Sequence, residues 1–147
     1  MSKLSTFAKR IYVLLESLLV VLVGLIPKRM VVRFKSKVQI IGKMDYSRRD
    51  VFMHVDSEID YQTRLNSCSK EPETIAWIES FLKPGQVFYD IGANVGAYSL
   101  VASKFLGGDL EVYAFEPGFI TYGQLCKNIL LNDCQDTVMP IQVALSD

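Results

Sequence analysis

The stretch Val87-Phe88-Tyr89-Asp90-Ile91-Gly92-Ala93-Asn94-Val95-Gly96-Ala97-Tyr98-Ser99-Leu100 decides the fold of this 147-residue chain. Its first part, Val87 to Ile91, is apolar apart from Asp90, which predicts a strand buried on both faces of a sheet. Gly92 and Gly96 then allow backbone conformations that are closed to other residues and bring N–H groups against a ligand. A helical pattern follows, and its positive end would point at the same bend. Together these features predict a site for a small polar ligand.

The spacing of acids and glycines indicates which ligand. A dinucleotide fingerprint is G-x-G-x-x-G, whereas this bend lacks the third glycine, so a nicotinamide-linked oxidoreductase is the weaker interpretation. A second predicted strand, Leu110 to Phe115, ends at Glu116, about 24 residues after Gly92. That is the usual position of a carboxylate that accepts hydrogen bonds from ribose hydroxyls. Asp90 and Glu116 would therefore frame a nucleoside.

Three motifs in this order resemble one known family. They are Asp90 to Gly96, Phe115-Glu116-Pro117 and Ala144 to Asp147, and they resemble the FkbM-type S-adenosylmethionine-dependent methyltransferases. The upstream Lys70-Glu71-Pro72-Glu73-Thr74 and Trp77 resemble the segment that precedes the glycine bend in that family. The resemblance covers roughly Asp60 to Asp147, and it depends on the motifs occurring as a set.

The resemblance implies S-adenosylmethionine as the cofactor and transfer of its methyl group to oxygen of a sugar hydroxyl or other small molecule. Asp90 would contact the amino group of the donor, and Glu116 would hold its ribose hydroxyls. The other cofactor-binding positions would line the methionine moiety or the adenine: Gly92, Ala93, Asn94, Gly96, Phe115, Pro117, Ser146 and Asp147. No catalytic residue is assigned, because groups that touch the acceptor in this fold usually follow the fourth strand.

The predicted fold class is α/β, a Rossmann-like methyltransferase fold that stops after its third strand. Helices at Ala97 to Leu106 and Phe119 to Leu131 separate the three strands, and the third strand is Val138 to Leu145. This pattern places the first half of a methyltransferase domain at 69–147, beginning with a helix from Ser69 to Leu82. The predicted core stripe of that helix is Ile75, Ile78, Phe81 and Leu82. The predicted core contacts of the last helix are Ile120, Leu125, Ile129 and Leu130.

Residues 38–68 are predicted to form a small β extension ahead of that domain. Val38 to Ile41 and Val51 to Val55 have strand patterns on either side of turn residues, and Ser57 to Leu65 is a third candidate. His54 lies in this alternation, which favours a packed or surface histidine over a catalytic one.

Residues 1–37 are predicted to form a hydrophobic, partly amphipathic helix with basic flanks, helical from Leu4 to Ile26. Glu16 interrupts the apolar run, so a full membrane span, which needs about 20 apolar residues, is only one alternative. A helix in the membrane interface fits the pattern, as does a helix packed on the rest of the domain. A cleaved signal peptide lacks a recognisable cleavage site. The expected location is cytoplasmic, with possible attachment to the cytoplasmic face of a membrane.

Charge and cysteine content limit the kinds of partner and metal that the chain is expected to bind. Lys plus Arg and Asp plus Glu number 16 each, so no net field favours nucleic acid, and no nucleic-acid partner is expected. The cysteines Cys68, Cys126 and Cys134 form no C-x-x-C pair, which favours reduced thiols and predicts no metal site. A glycan or small-molecule acceptor and a membrane surface at residues 4–26 remain as the expected partners. The alternative to an enzyme is a non-catalytic, membrane-associated interaction module.

Overall fold

The computed structural model of the chain describes residues 6–145, with side chains described from residue 8 onward. These residues form two compact units, and the chain passes from the first to the second between Gln39 and Ile40. The second unit holds both the predicted β extension and the predicted methyltransferase half. Sequence patterns had divided it at residues 68 and 69.

Two helices, where one was predicted, make up the first unit. Helix α1 runs from Thr6 to Gly24 and helix α2 from Lys28 to Lys35. Pro27 separates them with extended backbone (φ −53°, ψ 130°), because a proline can begin a helix but cannot continue one. No single helix in the described range has the length and apolarity to cross a membrane. Residues Ala8 to Gly24 and α2, bent by 113°, reach that length and composition only as a pair.

The second unit begins with a short antiparallel hairpin, β1 (Ile41–Lys43) and β2 (Phe52–His54). The strand predicted at Ser57 to Leu65 is wrong, because residues Asp60–Arg64 form a π-helical turn. Asp60 explains the difference: its carboxylate accepts hydrogen bonds from the Ser57 hydroxyl at 2.8 Å and from a preceding backbone N–H at 3.1 Å. Such local bonds from side chain to backbone compete with strand formation.

Two helices follow where one was predicted. Helix α3 covers Ser67–Lys70 and helix α4 covers Pro72–Phe81. Glu71 interrupts them with a φ of −131°, because the residue before a proline is disfavoured in helical conformation. Ile78 of α4 and Leu82, which follows the helix, are buried as predicted, whereas Phe81 is exposed and stacks on Trp77 with the ring centroids 5.9 Å apart.

A parallel sheet with strand order β3-β4-β5 forms the centre of this unit. Its elements are β3 (Gln86–Ile91), α5 (Ala97–Phe105), β4 (Leu110–Phe115), α6 (Phe119–Leu131) and β5 (Val138–Ile141). Strand β4 and helix α6 have the predicted bounds, and β5 is shorter than predicted. The parallel strands and the helices between them give the α/β arrangement that the sequence predicts.

One face of this sheet is buried and the other is not. Val112 and Ala114 of β4 lie in a core with Leu100 of α5 and Leu125 of α6. On the opposite face Val87, Tyr89 and Ile91 of β3 are 47%, 61% and 67% exposed. The prediction that β3 is buried on both faces is therefore wrong, because a continuous apolar run does not reveal how many of its faces are covered.

A row of amide side chains on α6 fastens it to the hairpin. Gln124, Asn128 and Asn132 recur every four residues, so they share one side of the helix. Asn132 accepts from the Phe52 N–H at 2.9 Å and donates to the Phe52 carbonyl. Asn128 accepts from the His54 N–H at 2.9 Å, and Gln124 donates to the His54 carbonyl at 3.0 Å. The amides thus pair the outer edge of β2 as another strand would.

This amide row also explains an error in the predicted core. Leu125 and Ile129 are buried as expected, but Ile120 and Leu130 are exposed. The buried side of α6 includes Asn128 and Asn132, which a count of apolar residues assigns to solvent.

We expect Asn128→Leu to lower the free energy of unfolding by about 2–4 kcal/mol, since it leaves two buried backbone groups without partners. Asn128 is fully buried, and besides the His54 N–H it binds the Val95 carbonyl at 2.9 Å. Urea unfolding followed by circular dichroism measures the change. Lys127→Leu is the matched control on the exposed side of the same turn, and equal losses in both variants would contradict this role of Asn128.

Candidate functional site

Two carboxylates lie at the carboxyl ends of neighbouring parallel strands, on the same face of the sheet. Asp90 is in register with Ala114 of β4, and Glu116 comes two residues after Ala114. Because side chains alternate along a strand, Asp90, Ala114 and Glu116 all point to the face that α5 and α6 cover. The condition that one nucleoside needs, both carboxylates on one side, is therefore met.

Glu116 is almost fully buried, with 8% of its surface exposed, and its carboxylate joins two loops. Oε2 accepts from the Asn94 N–H at 2.8 Å. Oε1 accepts from the Gly118 N–H at 2.8 Å and from the Thr121 hydroxyl at 2.7 Å. Each carboxylate oxygen has two lone pairs, so Glu116 keeps acceptor capacity for a ligand while it holds the loops in place.

Asp90 is half-buried and caps the start of α5. Its Oδ2 accepts from the Ser99 hydroxyl at 2.5 Å, and its carboxylate also bonds the Ser99 backbone N–H. Burial raises the pKa of Asp90, and the two bonds from Ser99 oppose that rise. A positively charged ligand would stabilise the ionised form of this half-buried carboxylate.

We expect Asp90→Asn to leave the free energy of unfolding at neutral pH unchanged or higher. The raised pKa means that the folded state holds the proton more tightly than the unfolded state does. Stability contributed by this group therefore falls as pH rises from the ordinary aspartate pKa, 3.8, through the folded-state pKa. The asparagine variant lacks that loss, so the difference between the two proteins should grow with pH in urea unfolding. A difference that shrinks as pH rises would contradict this assignment.

The glycine bend has three left-handed residues, Gly92 (φ 79°), Asn94 (φ 53°) and Gly96 (φ 90°). Its N–H groups were expected to face a ligand, but the structure shows them bound within the protein. Those of Gly92 and Ala93 both donate to the Phe115 carbonyl at 2.9 Å, and that of Gly96 donates to the Ala93 carbonyl at 2.8 Å. With the Asn94 N–H bound to a carboxylate of the protein as well, the bend offers few donors for a phosphate.

The two glycines of the bend have different surroundings. A Cβ on Gly96 would lie 2.6 Å from Leu125 Cδ1, so this glycine allows α5 to pack closely on α6. A Cβ on Gly92 would meet no heavy atom within 4 Å. The open side of Gly92 is therefore where a ligand could approach the backbone, whereas Gly96 is buried. Ala93 is also buried.

Asn94 has a buried polar atom that lacks a protein partner. Its Oδ1 makes no hydrogen bond within the described part of the chain, although its backbone N–H is bound to Glu116. A buried acceptor without a partner is unfavourable, and a donor group of a ligand would satisfy it.

The remaining predicted site residues differ in their positions from Asp90 and Glu116. The Phe115 ring stacks on Tyr89, with centroids 6.3 Å apart, on the opposite face of the sheet. Pro117 is exposed beyond the end of β4. The predicted positions Ser146 and Asp147 lie outside the described residues.

Two contributors to the site escaped the sequence analysis. Thr121 donates to Glu116, and a Cβ on Gly118 would lie 2.9 Å from Glu116 Oε1, so only glycine leaves room for the carboxylate there. The signal available in the sequence is the close succession Glu116-Pro117-Gly118, followed by a hydroxyl residue in the first turn of α6.

Other reactive groups lie apart from this arrangement. The three cysteines are free thiols, and burial raises the pKa of Cys68 to about 12, so it stays protonated at neutral pH. An open cleft of about 330 Å³ lies at the amino end of β5 and is lined by Glu111, Asp136 and Thr137 among others. It is at the other end of the sheet from the carboxylates, where ligands do not usually bind in parallel sheets of this kind.

Solved structures share this fold. The chain matches M. jannaschii TYW2 in complex with AdoMet at 22% identity and a TM-score of 0.52, covering 72% of this chain and 43% of that one. It matches an M. jannaschii tRNA m1G37 methyltransferase at 21% identity and a TM-score of 0.52, covering 71% and 30%. A Trm5 in complex with tRNALeu matches at 23% identity and a TM-score of 0.51, covering 71% and 28%. No family model and no curated protein sequence matches.

These likenesses confirm the predicted Rossmann-like methyltransferase fold. The chain spans less than half the length of each of the three proteins. They also correct one expectation: the exclusion of nucleic acid as a partner is wrong, because a protein of this fold was solved with tRNALeu bound. A balanced net charge averages over the whole chain and does not exclude a local contact with RNA.

Proposed function

We propose that this chain supplies the S-adenosylmethionine site of a methyltransferase. The proposal rests on the placement of Asp90 and Glu116 on one face of the sheet, at the carboxyl ends of adjacent parallel strands. Gly92, which lies between them in the sequence, leaves its backbone open to a ligand. The fold shared with TYW2, which was solved with AdoMet, supports the same ligand.

The residues present fit this donor better than they fit a dinucleotide. The site offers acceptors: two carboxylates and the unpaired Oδ1 of Asn94. S-adenosylmethionine brings an ammonium group and two ribose hydroxyls, all of which can donate. A pyrophosphate needs N–H donors, but those of Gly92, Ala93, Asn94 and Gly96 are already bound within the protein. The electrostatics therefore disfavour NAD.

When bound, S-adenosylmethionine supplies a methyl group on a sulfonium that a nucleophile can displace in line. The residues of this chain hold and orient the donor for that step. Asp90 would accept from the ammonium group, and Glu116 would accept from the ribose hydroxyls. Because Glu116 also ties the glycine bend to the start of α6, the site would be largely in place before the ligand arrives.

For the acceptor, the motif set that resembles the FkbM-type enzymes favours oxygen of a sugar hydroxyl or another small molecule. The structural likeness to a tRNA m1G37 methyltransferase makes an RNA nucleoside the second candidate. We infer a cytoplasmic location for the donor site, because S-adenosylmethionine is a cytosolic metabolite.

Isothermal titration calorimetry with S-adenosylmethionine and with NAD tests the proposal on the full chain. We expect saturable binding of the first ligand and none of the second. Binding of NAD alone, or of neither ligand by a chain that circular dichroism shows to be folded, would overturn the proposal. The second outcome would favour a non-catalytic interaction module. Transfer of labelled methyl groups to glycans or to tRNA then separates the two acceptor classes.

A further inference from the structure

The two ends of the chain differ sharply in charge. Residues 1–39 contain eight lysines and arginines against a single acid, Glu16, whereas residues 40–147 contain eight bases and 15 acids. The balanced total therefore conceals a strongly basic first unit. Such a segregation of charge indicates that the first unit meets an anionic partner.

Helix α2 presents this charge on an amphipathic surface. Its sequence is KRMVVRFK, and at 100° per residue Met30, Val31 and Phe34 share one side. Met30 and Phe34 are 61% and 71% exposed. The rest of the circumference holds one further valine, Val32, and the four basic residues: Lys28, Arg29, Arg33 and Lys35.

Helix α1 adds further exposed apolar surface, and the end of the helix that precedes α2 in the sequence carries no charge. From Leu18 to Ile26 every residue is apolar or glycine, and the large side chains of this stretch are exposed. The bend of 113° between the helices redirects the chain at Pro27, so α2 does not prolong α1. Helices with this combination of an apolar side and a cationic side lie in the interfacial plane of a bilayer.

We propose that α2 docks on an anionic phospholipid bilayer, with Met30, Val31 and Phe34 toward the acyl chains and its cations at the lipid phosphates. Lysine and arginine stems are long enough to lie along apolar surface while their charges reach the headgroups. Two other occupants fit less well. RNA would satisfy the cations but leave the apolar side in water, and a second copy of α2 would bring like charges together.

Flotation of the full chain with vesicles tests this docking. One vesicle is phosphatidylcholine alone, and the other contains roughly 30% phosphatidylglycerol, whose charge attracts juxtamembrane cations. We expect preferential binding to the anionic vesicle that weakens in high salt. Equal partition to both vesicles would overturn the proposal, as would tight binding of tRNA by a chain that leaves both vesicles unbound.

Variants assign the effect to α2. The triple change Lys28→Glu, Arg29→Glu, Arg33→Glu should lower partition into anionic vesicles by about 100-fold or more. Phe34→Ser should lower partition into both kinds of vesicle. Lys70→Glu, Lys83→Glu, Lys127→Glu is the matched control, since it makes the same charge change in the second unit. Circular dichroism checks that each variant keeps its helices. An equal loss in the control would show that net charge alone, and not α2, sets the partition.

Discussion

Replacing Glu116 by glutamine is expected to weaken S-adenosylmethionine binding by about 10- to 100-fold, because the carboxylate has one free acceptor site for a ribose hydroxyl and a charge-assisted hydrogen bond is worth roughly 1.5–3 kcal/mol. Glutamine keeps only one acceptor oxygen, so its NH₂ group would also leave one of the two N–H donors that now bond the carboxylate without an acceptor. In the wild-type chain those donors are Asn94 at 2.8 Å and Gly118 at 2.8 Å. Calorimetric titration of the variant measures the loss.

Glu111→Gln is the matched control for this experiment. Glu111 lies on the same strand, is exposed, and accepts a hydrogen bond from the Tyr113 hydroxyl at 3.0 Å. It should bind the donor as the wild type does. If Glu116→Gln binds S-adenosylmethionine as tightly as Glu111→Gln does while both are folded, Glu116 does not hold the ribose.

Alanine at the two glycines of the bend should have different main effects, on stability at Gly96 and on donor binding at Gly92. Gly96→Ala is expected to lower the free energy of unfolding by about 2–4 kcal/mol, since it adds backbone strain at φ 90° to an overlap with Leu125. Gly92→Ala carries similar strain but meets no neighbour, so it should cost about 1–2 kcal/mol. Its main effect should be weaker donor binding, because the new methyl group occupies the open side of the bend.

Urea unfolding measures the stability of both variants, and calorimetry measures their affinity for the donor. In a double-mutant cycle, Gly96→Ala should cost less in a Leu125→Ala background than in the wild type, because the shortened side chain removes the overlap. An equal cost of Gly96→Ala in both backgrounds would show that backbone strain alone explains Gly96. Unchanged donor affinity in Gly92→Ala would place the ligand elsewhere.

The elements that the sequence predicts to the residue are those with strong boundary signals. Strand β4 follows Gly107-Gly108-Asp109, and helix α6 lies between Pro117-Gly118 and Asn132-Asp133, so local chemistry fixes where each begins and ends. Helix α2 has only Pro27 as a signal at its start, and its dense charge hides an amphipathic pattern that is only eight residues long.

The parts that the sequence does not predict depend on long-range partners. The exposed face of β3 depends on which helices pack on the sheet, and the buried amides of α6 depend on the edge of β2. In the site, spacing is enough to place Asp90 and Glu116 at one end of the sheet. Two N–H groups of the glycine bend donate to the Phe115 carbonyl at the end of the neighbouring strand, and no local sequence pattern reveals that contact.

The face to which Phe115 points, by contrast, can be predicted from the sequence. Consecutive residues of a strand point to opposite faces, so Phe115 and Glu116 cannot both face the same ligand from β4. The stacking of Phe115 on Tyr89 follows from that alternation.

The central claim is that an adenosyl sulfonium binds at the carboxyl ends of β3 and β4. Chemical-shift mapping of the ¹⁵N-labelled chain during titration with S-adenosylmethionine tests it directly. We expect the perturbed amides to cluster at Asp90, Gly92, Asn94, Glu116 and Gly118. Shifts confined to the cleft near Glu111 and Thr137, or no shifts from a folded chain at saturating ligand, would contradict it.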